Sequence, residues 1–476
     1  MAFSLLLVSP VAAWARWDQY QGGETHEGVI DAPTAPLRVA WAKRDIDLSG
    51  DDIAGGLSAP VVAEDGTIVA VAPGAVLAFE GGDGSERFSV DRDLGPASQP
   101  AIGAGAKGPI VVYTEGFGDE DVSASPTASP SPTPTDGSDG DEPFDSHVNA
   151  ISLETGEPAW PEPVQLDDIV QAPVAVDDST AYVGDVGGGV TAVDLATGEI
   201  RWTADVGTRV AGAVTIDDGR ALVAAIGGQN DPSEVWAFDA ETGEELWRAA
   251  PENGSNLVSA AVVTEGRILA LDAFGGVVAL HAEDGRTLWR TEVINPLTQA
   301  QPFSLGDVSA PVAGEGQVFA ADVTGRVYAF DADTGALRWD FALNEANRFS
   351  PPVLTDEHVL VATESGLLAA IDRSTGHLAW RVDAGADVLR GLADGGEQIV
   401  GVTGIEDAGV VAFAADPERP LLDEPSPTTV NLGELAVGFA LGGLLVGLIA
   451  LALARPLHRR LGPATPSDAG PVEESG

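Results

Sequence analysis

Short runs of alternating apolar and polar residues, separated by Asp and Gly, recur along most of this chain. The run from Ala192 to Trp202, AVDLATGEIRW, shows the pattern: an alternating segment, a D-x-x-T-G segment and a second short segment that ends in Trp. Alternation with a period of two indicates a half-buried strand, and Asp followed by Gly suits a tight reversal. Each copy therefore predicts a β-hairpin.

The hairpin returns with a nearly fixed period. Successive copies are about 40 to 50 residues apart, which is typical of a repeat architecture. Two further strand-like runs precede each hairpin, so one unit consists of four short antiparallel strands. Four-stranded units repeated around an axis form a β-propeller. The tryptophans that end the clear copies are Trp160, Trp202, Trp247, Trp289, Trp339 and Trp380.

The repeat region begins and ends with an incomplete unit. The segment from Leu37 to Asp45 has the pattern of a final strand, with Trp41 in the Trp position, whereas the unit from Leu389 to Ala414 stops before its fourth strand. We therefore predict that the N-terminal strand completes the last blade and closes the ring. This all-β arrangement has eight blades, or seven if the degenerate first unit, with Phe88 in the Trp position, is not a blade.

The pattern A-x-D-x-x-T-G-x-x-x-W resembles the pyrroloquinoline-quinone-like (PQQ-like) repeat family. That family includes quinoprotein dehydrogenases and the lipoprotein of the outer-membrane barrel-assembly machine. The resemblance covers the region from Leu37 to Ala414. It implies that each Trp docks between blades against the neighbouring turn, as a structural residue. It also implies that PQQ and calcium are cofactors only if the chain is a dehydrogenase.

Charge and cysteine content exclude several classes of function. The formal net charge is −50, with 74 acidic and 24 basic residues, so a nucleic-acid partner is excluded because phosphate binding needs a positive surface. The chain has no cysteine, which excludes a thiol nucleophile, a Cys-based zinc site and a lipid-modified N-terminal Cys. It also excludes the adjacent-cysteine disulfide that the resemblance would imply beside a quinone.

Segments outside the repeats have distinct compositions. Residues 1–15 are apolar and end in A-W-A, which predicts a signal peptide; its basic leader is missing, so either the signal is atypical or the true start lies upstream. Residues 16–36 form an irregular approach to the propeller at 37–415. A Ser/Thr/Pro/Asp-rich insertion at 117–146 predicts disorder. A Pro-rich linker follows at 416–431.

The C-terminal region predicts a membrane anchor. Residues 432–454 include an uncharged apolar run long enough to cross a bilayer as a helix, and RPLHRR follows at once. By the positive-inside rule, the tail at 455–476 is cytoplasmic and the propeller is extracytoplasmic. Two G-x-x-x-G spacings in the helix permit a homodimer. The predicted localisation is thus a single-pass protein of the cell membrane.

One acidic loop has a partial calcium-binding pattern. Asp45, Asp47, Ser49 and Asp51 place oxygen ligands at alternate positions, but Gly56 occupies the position of the bidentate Glu. A solvated acidic loop is the alternative interpretation. We identify no catalytic residues in the sequence.

Three classes of function remain. The leading hypothesis is a non-catalytic propeller that binds a protein partner on its membrane-distal face and acts as an assembly scaffold, with no cofactor expected. The distal face is the one away from both chain ends, because the chain enters the last blade through its outer strand and leaves it after the third. The alternatives are a PQQ- and calcium-dependent quinoprotein dehydrogenase and a ligand sensor coupled through the single helix.

Overall fold

The computed structural model describes residues 15–30, 35–46, 56–93, 95–116, 146–210, 212–227, 232–252, 257, 259–272, 276–292, 310–322, 324–347, 350–386, 388–404 and 408–425. The chain divides into two units, Met1–Ser426 and Pro427–Gly476. The second unit lies outside the described residues, as do residues 1–14 of the predicted signal peptide, residues 117–145 of the predicted insertion at 117–146 and the predicted helix at 432–454. Among the described residues, no helix is long and apolar enough to cross a membrane.

The first unit consists of eight antiparallel sheets, which confirms the prediction of an eight-bladed propeller. We number the blades in chain order and list each from the innermost strand outward. Blades 1 to 4 are built from β1 (Ala15–Trp17), β3 (Val61–Ala63), β4 (Ile68–Ala72), β5 (Ala75–Phe79) and β6 (Glu86–Asp91); β7 (Ala101–Gly105), β8 (Gly108–Glu115), β9 (Ser146–Ser152) and β10 (Val164–Leu166); β11 (Ala175–Val176), β12 (Thr180–Gly184), β13 (Gly189–Asp194) and β14 (Ile200–Asp205); and β15 (Thr215–Asp217), β16 (Arg220–Ala225), β17 (Glu234–Asp239) and β18 (Glu245–Ala249).

The remaining blades follow the same order. Blades 5 to 8 are built from β19 (Val262–Thr264), β20 (Arg267–Leu271), β21 (Gly276–His281) and β22 (Thr287–Glu292); β23 (Val312–Gly314), β24 (Gln317–Ala321), β25 (Arg326–Asp331) and β26 (Leu337–Ala342); β27 (Val353–Leu354), β28 (His358–Ala362), β29 (Leu367–Asp372) and β30 (Leu378–Asp383); and β31 (Leu389–Asp394), β32 (Gln398–Thr403), β33 (Gly409–Ala415) and β2 (Leu37–Lys43).

The burial of each strand follows from the packing of its blade between two neighbouring blades. Second strands such as β4 and β28 are buried at every position, because both of their faces meet another sheet. The outer strand β14 instead has mostly exposed side chains around a buried Trp202. The near-continuous Val, Ala, Leu and Ile of the inner strands therefore form the sheet-on-sheet cores.

The ring closes through the N-terminal strand. β2 pairs antiparallel with β33, with Leu37 opposite Ala415 and Lys43 opposite Val410. This is the closure that the incomplete terminal units predict. Leu37 is fully buried, whereas its neighbour Arg38 is exposed.

After the last blade, the linker adds to the outer edge of blade 7. The Leu378 amide donates to the Glu424 carbonyl at 2.8 Å, and the Glu424 amide donates back at 3.0 Å. The Leu422 amide also donates to the Ala379 carbonyl, at 2.8 Å. The Pro-rich linker thus leaves the propeller beside the hairpin turn of blade 7.

The segment predicted as an irregular approach, residues 16–36, contacts the inner strands of the propeller over its described part up to Ile30. Its first part forms β1, a fifth strand on the inner edge of blade 1. The following residues, up to Ile30, contact the innermost strands of the other blades, so they lie at the centre of the ring. We call residues 18–30 the channel segment. The sequence does not predict these contacts, because the polar residues of this segment are held by hydrogen bonds to blades that are distant in sequence.

Ring closure yields a testable prediction. Leu37→Ala should lower the free energy of unfolding by about 2 to 5 kcal/mol, because it leaves a cavity in the sheet pairing that closes the ring. Arg38→Ala, on the exposed side of the same strand, should change it by less than about 0.5 kcal/mol. Urea denaturation of the two variants beside the wild type measures both values. Equal effects would contradict a closing role for this strand.

Candidate functional site

The central channel of a propeller is surrounded by the innermost strands of its blades. In this protein the channel segment crosses it and accepts a backbone hydrogen bond from the inner strand of five blades in turn, at N···O distances of 2.7 to 3.3 Å. The order of the acceptors along the segment follows the order of the blades around the ring. The donors are the amides of Ile102, Ile216, Val263, Ala313 and Leu354, and the acceptors are the carbonyls of Asp18, Glu24, Thr25, Glu27 and Gly28.

Polar side chains of the segment complete this bonding. The Gln19 side chain donates to the Val176 carbonyl at 2.8 Å and accepts from the Val176 amide at 2.9 Å, as a neighbouring strand would. The Gln21 amide donates to the Pro311 carbonyl at 3.1 Å. Both glutamine side chains are buried, with at most 3% of their surface exposed. Each blade from 2 to 7 is therefore bonded to the segment through backbone or side chain.

His26 lies fully buried between two backbone carbonyls. Its Nδ1 is 2.7 Å from the Tyr20 oxygen and its Nε2 is 3.0 Å from the Val214 oxygen. Burial lowers the pKa of this imidazole, and the neighbouring carbonyls oppose that effect only in part. A neutral imidazole has one N–H, so it donates to one of the two carbonyls at a time.

Glycine allows the segment to fit against its surroundings. Gly22 has a φ of 85°, and a Cβ at this position would lie 2.5 Å from Cε3 of Trp17. Gly28 has a φ of 70°, and its Cβ would lie 2.6 Å from Cγ1 of Val312. At both positions a side chain would be excluded by the left-handed backbone and by a close neighbour.

Two carboxyl groups of the segment have raised pKa values. Burial raises the pKa of Asp18 to about 6, and its Oδ1 has no hydrogen-bond partner in the described part of the chain. Loss of solvent, followed by the charges of Asp177, Asp178 and Asp18, raises the pKa of Glu24 to about 7. The segment therefore holds protons near neutral pH that an unfolded chain would release.

The channel does not fit a bound quinone at the level of the segment. A planar cofactor on the ring axis would need the volume that Gln19, Gln21 and His26 fill with buried side chains. The described residues also contain no group of three or more His, Asp or Glu side chains that could hold a metal ion beside it. The centre of the ring is thus occupied by the chain itself.

The repeat tryptophans lie at the junctions between blades. Trp160 Nε1 donates to the Leu195 carbonyl of the next blade at 3.0 Å, and a Cβ on Gly198 of that blade's turn would lie 2.7 Å from Trp160 Cγ. The glycine of the turn therefore permits the indole to pack against the turn. The same bond to the next blade is made by Trp41 to Gly81, Trp202 to Ala240, Trp289 to Ala332 and Trp339 to Arg373.

Two of the predicted docking residues lack this bond. Trp247 packs against Gly285 of the next turn, but its Nε1 has no partner among the described residues. Trp380 is buried, and its Nε1 is likewise unpartnered there. The first blade has Phe88 at the same position, against Gly156 of blade 2. The docking role of these side chains stays a prediction.

Comparison with known proteins agrees with this architecture. A family model described as "Outer membrane protein assembly factor BamB" matches residues 145–326 and 323–419, together more than half of the chain. The chain belongs to this PQQ-like propeller family. The fold and the repeat pattern are accordingly those of PQQ-like propellers.

Individual relatives within the family are distant. The outer membrane protein assembly factor BamB of Burkholderia pseudomallei is 32% identical over 34% of this chain and 41% of its own length. The chain therefore spans less than half of that relative.

Two solved structures are similar to this chain in fold but share little of its sequence. The crystal structure of BamB from Moraxella catarrhalis is 16% identical with a TM-score of 0.57, covering 79% of this chain and 99% of that one. A europium-containing methanol dehydrogenase is 13% identical with a TM-score of 0.64, covering 84% and 98%. A PQQ-like propeller of this shape thus occurs both in an assembly factor and in a dehydrogenase.

The calcium-loop candidates are only partly described. Asp45 is exposed, with a φ of 56°. Asp47, Ser49 and Asp51 lie outside the described residues. The calcium interpretation of this loop therefore stays a prediction.

Sequence reasoning missed the residues that fill the channel. Gln19, Gln21 and His26 belong to no repeat, and the sequence around them, DQYQGGETHEG, has neither apolar alternation nor a helical period. Two weak signals were available. Trp17 and Tyr20 are large aromatic residues outside the repeats, which indicates that the segment is buried against something. The adjacent Gly22 and Gly23 indicate an unusual backbone conformation.

A matched pair of variants tests the tryptophan junctions. Trp339→Phe removes a hydrogen bond to the next blade, whereas Trp247→Phe removes an Nε1 without a partner; both indoles are partly buried. We expect Trp339→Phe to be more destabilising by about 1 kcal/mol, the net value of one hydrogen bond. Chemical denaturation gives the difference. If Trp247→Phe cost as much, the hydrogen bond would not stabilise the junction.

The raised pKa of Asp18 predicts how Asp18→Asn changes stability with pH. The folded state keeps the proton up to about pH 6, whereas the unfolded chain loses it near pH 4, so the wild type loses stability between these values as pH rises. Asp18→Asn should match the wild type near pH 4 and exceed it by on the order of 2 kcal/mol at pH 8. Thermal unfolding over this range measures the difference. A constant difference at all pH values would contradict the burial of a protonated Asp18.

Proposed function

We propose that this protein is a non-catalytic, extracytoplasmic PQQ-like propeller that acts as a protein-binding or assembly scaffold. The observation that carries the proposal is the channel segment. Gln19 and His26, both fully buried, fill the centre of the ring and bond to its blades, where a cofactor would otherwise have to lie. Binding to other proteins is then left to the faces and the rim.

The family relationship supports the same function. The matching family is described as an outer membrane protein assembly factor, and the relative from Burkholderia pseudomallei has the same name. A role in assembly by binding other proteins needs a stable surface and no catalytic residues. Eight blades in a ring that is closed by β2 supply such a surface.

Membrane attachment belongs to the proposal as well. The apolar run within 432–454 would anchor the chain in the cell membrane, and the basic residues after it favour a cytoplasmic tail. The linker leaves the propeller beside the hairpin turn of blade 7. The face with the hairpin turns would then be proximal to the membrane, and the opposite face would meet the partner.

A quinoprotein dehydrogenase is the second candidate function. Its support is the fold likeness to the europium-containing methanol dehydrogenase, with a TM-score of 0.64. The channel segment argues against it, as does the absence of cysteine from the sequence. A dehydrogenase would require the segment to leave the channel and break its backbone bonds to five blades.

Site-specific photo-crosslinking in cells tests the scaffold function. A photoreactive residue replaces Asp383, at the distal end of β30, or Ser374, in the hairpin turn of the same blade; both are exposed. We expect a discrete protein adduct from position 383 and none from position 374, because the partner meets the distal face.

Titration with PQQ and calcium completes the test. A scaffold should show no change in thermal stability, because mass action requires a ligand that binds the folded state. A calcium-dependent rise in the melting temperature, together with no adduct from position 383, would contradict the scaffold function and favour the dehydrogenase.

A further inference from the structure

Blades 3 and 5 have the same arrangement of glycine and acidic residues at the distal ends of their strands. In blade 3, Gly189 lies opposite Asp205 in the β13–β14 pair, and in blade 5, Gly276 lies opposite Glu292 in the β21–β22 pair. In each blade a buried aspartate accepts a hydrogen bond from that glycine amide. These aspartates are Asp185 and Asp272.

In blade 5 an arginine of the same chain joins the two carboxylates. Arg290 donates to Asp272 Oδ2 from Nε at 2.9 Å and from Nη2 at 2.7 Å. Its Nη1 contacts Glu292 Oε1 at 2.5 Å. Asp272 is fully buried, so its negative charge is stabilised by the positive charge of Arg290. The guanidinium of Arg290 therefore offsets part of the negative charge of the two carboxylates at the distal end of blade 5.

Blade 3 keeps both carboxylates but not the arginine. Each indole, Trp202 and Trp289, lies opposite an alanine of the third strand, so the residue after it holds the same position in both blades. In blade 3 that residue is Thr203, which is exposed. No basic side chain of the described residues forms an ion pair with Asp185 or Asp205.

The two oxygens of the Asp185 side chain differ in their hydrogen bonds. Its Oδ1 accepts from the Gly188 and Gly189 amides at 2.8 and 2.7 Å. A Cβ on Gly189 would lie 2.3 Å from its Oδ2, and no hydrogen bond from a described residue ends on this oxygen. Only 6% of Asp185 is exposed.

Where blade 3 has no counterpart of Arg290, a groove of about 390 Å³ lies along its strands, which we call the blade 3 groove. Besides Asp185, Thr203 and Asp205, it is lined by Asp167 and Asp168 of the preceding link. Burial, and after it the nearby charge of Asp168, raises the pKa of Asp185. A cation in the groove would lower the pKa of Asp185 again, because a nearby positive charge stabilises the ionised carboxylate.

We infer that the blade 3 groove binds an arginine side chain of a partner protein, in the position that Arg290 occupies in blade 5. The guanidinium suits the site better than an ammonium group, because its planar fork can donate to two carboxylates at once. This inference rests on the proposed scaffold function, since it names the chemistry of the partner on the distal face.

A peptide probe tests the groove on the full chain. The probe is the tripeptide Gly-Arg-Gly, acetylated and amidated, and the control peptide has citrulline, a neutral isostere, in place of Arg. Saturation-transfer NMR titrations give the dissociation constants. We expect binding of the arginine peptide that is at least about tenfold tighter than binding of the citrulline peptide.

Variants of the chain decide whether the groove is responsible. T203R places an arginine of the chain itself in the groove, at the position of Arg290 in blade 5. Because this arginine would compete with the peptide, binding should weaken at least about tenfold. I200R adds the same charge at the other end of β14, at a side chain that is 50% exposed, and should leave binding unchanged. If T203R does not fold, D205N removes the exposed carboxylate with little change in shape and should weaken binding likewise.

Three results would overturn the inference. They are equal binding of the citrulline peptide, an equal loss of binding in I200R, and unchanged binding in T203R or D205N. The second would indicate diffuse attraction to the acidic surface. None of them bears on the adduct from position 383, so failure of the groove is distinguishable from failure of the scaffold function.

Discussion

The hydrogen bonds between the inner strands and the channel segment are the interaction on which the rest of this structure depends. The innermost strand of each blade presents an unpaired edge toward the axis, and its amides need acceptors. The segment supplies them for five blades from its backbone and for blade 3 from the Gln19 side chain, and residues later in the segment bind later blades. The path of the segment and the curvature of the ring are therefore fixed together, and the channel is closed to large ligands at this level.

The same N-terminal region also closes the ring. β1 lies at the inner edge of blade 1 and β2 at the outer edge of blade 8, so one stretch of chain joins the two blades that are most distant in sequence. Trp41 adds the usual junction bond by donating to Gly81 of blade 1. These pairings have large sequence separations, and such contacts are costly to form early in folding. Closure is thus expected late, after the repeats have formed.

The repeats made most of the fold predictable from sequence. The spacing of Trp202 and its counterparts, the Asp–Gly turns and the incomplete terminal units indicated eight blades and their closure by Leu37 and its neighbours. These features are local, and each is repeated several times.

The channel segment was not predictable in the same way. Gln19 and His26 are buried because their side chains bond to backbone atoms far away in sequence, and no local pattern records such a partner. The blade 3 groove was hidden for another reason. Thr203 is an ordinary residue of an outer strand until Arg290 is seen at the same place in blade 5. Both features depend on which residues the fold brings to the same place.

Hydrogen exchange tests the central claim, that the chain fills its own channel, most directly. Amide exchange in the full chain is followed by mass spectrometry on peptides that cover residues 18–30 and the inner strands. The account predicts that the amides of Ile216, Val263 and Leu354 exchange as slowly as those of the buried second strands, because the segment accepts their hydrogen bonds. Rapid exchange at these amides, as fast as in exposed turns, would show that the channel is open and would contradict the account.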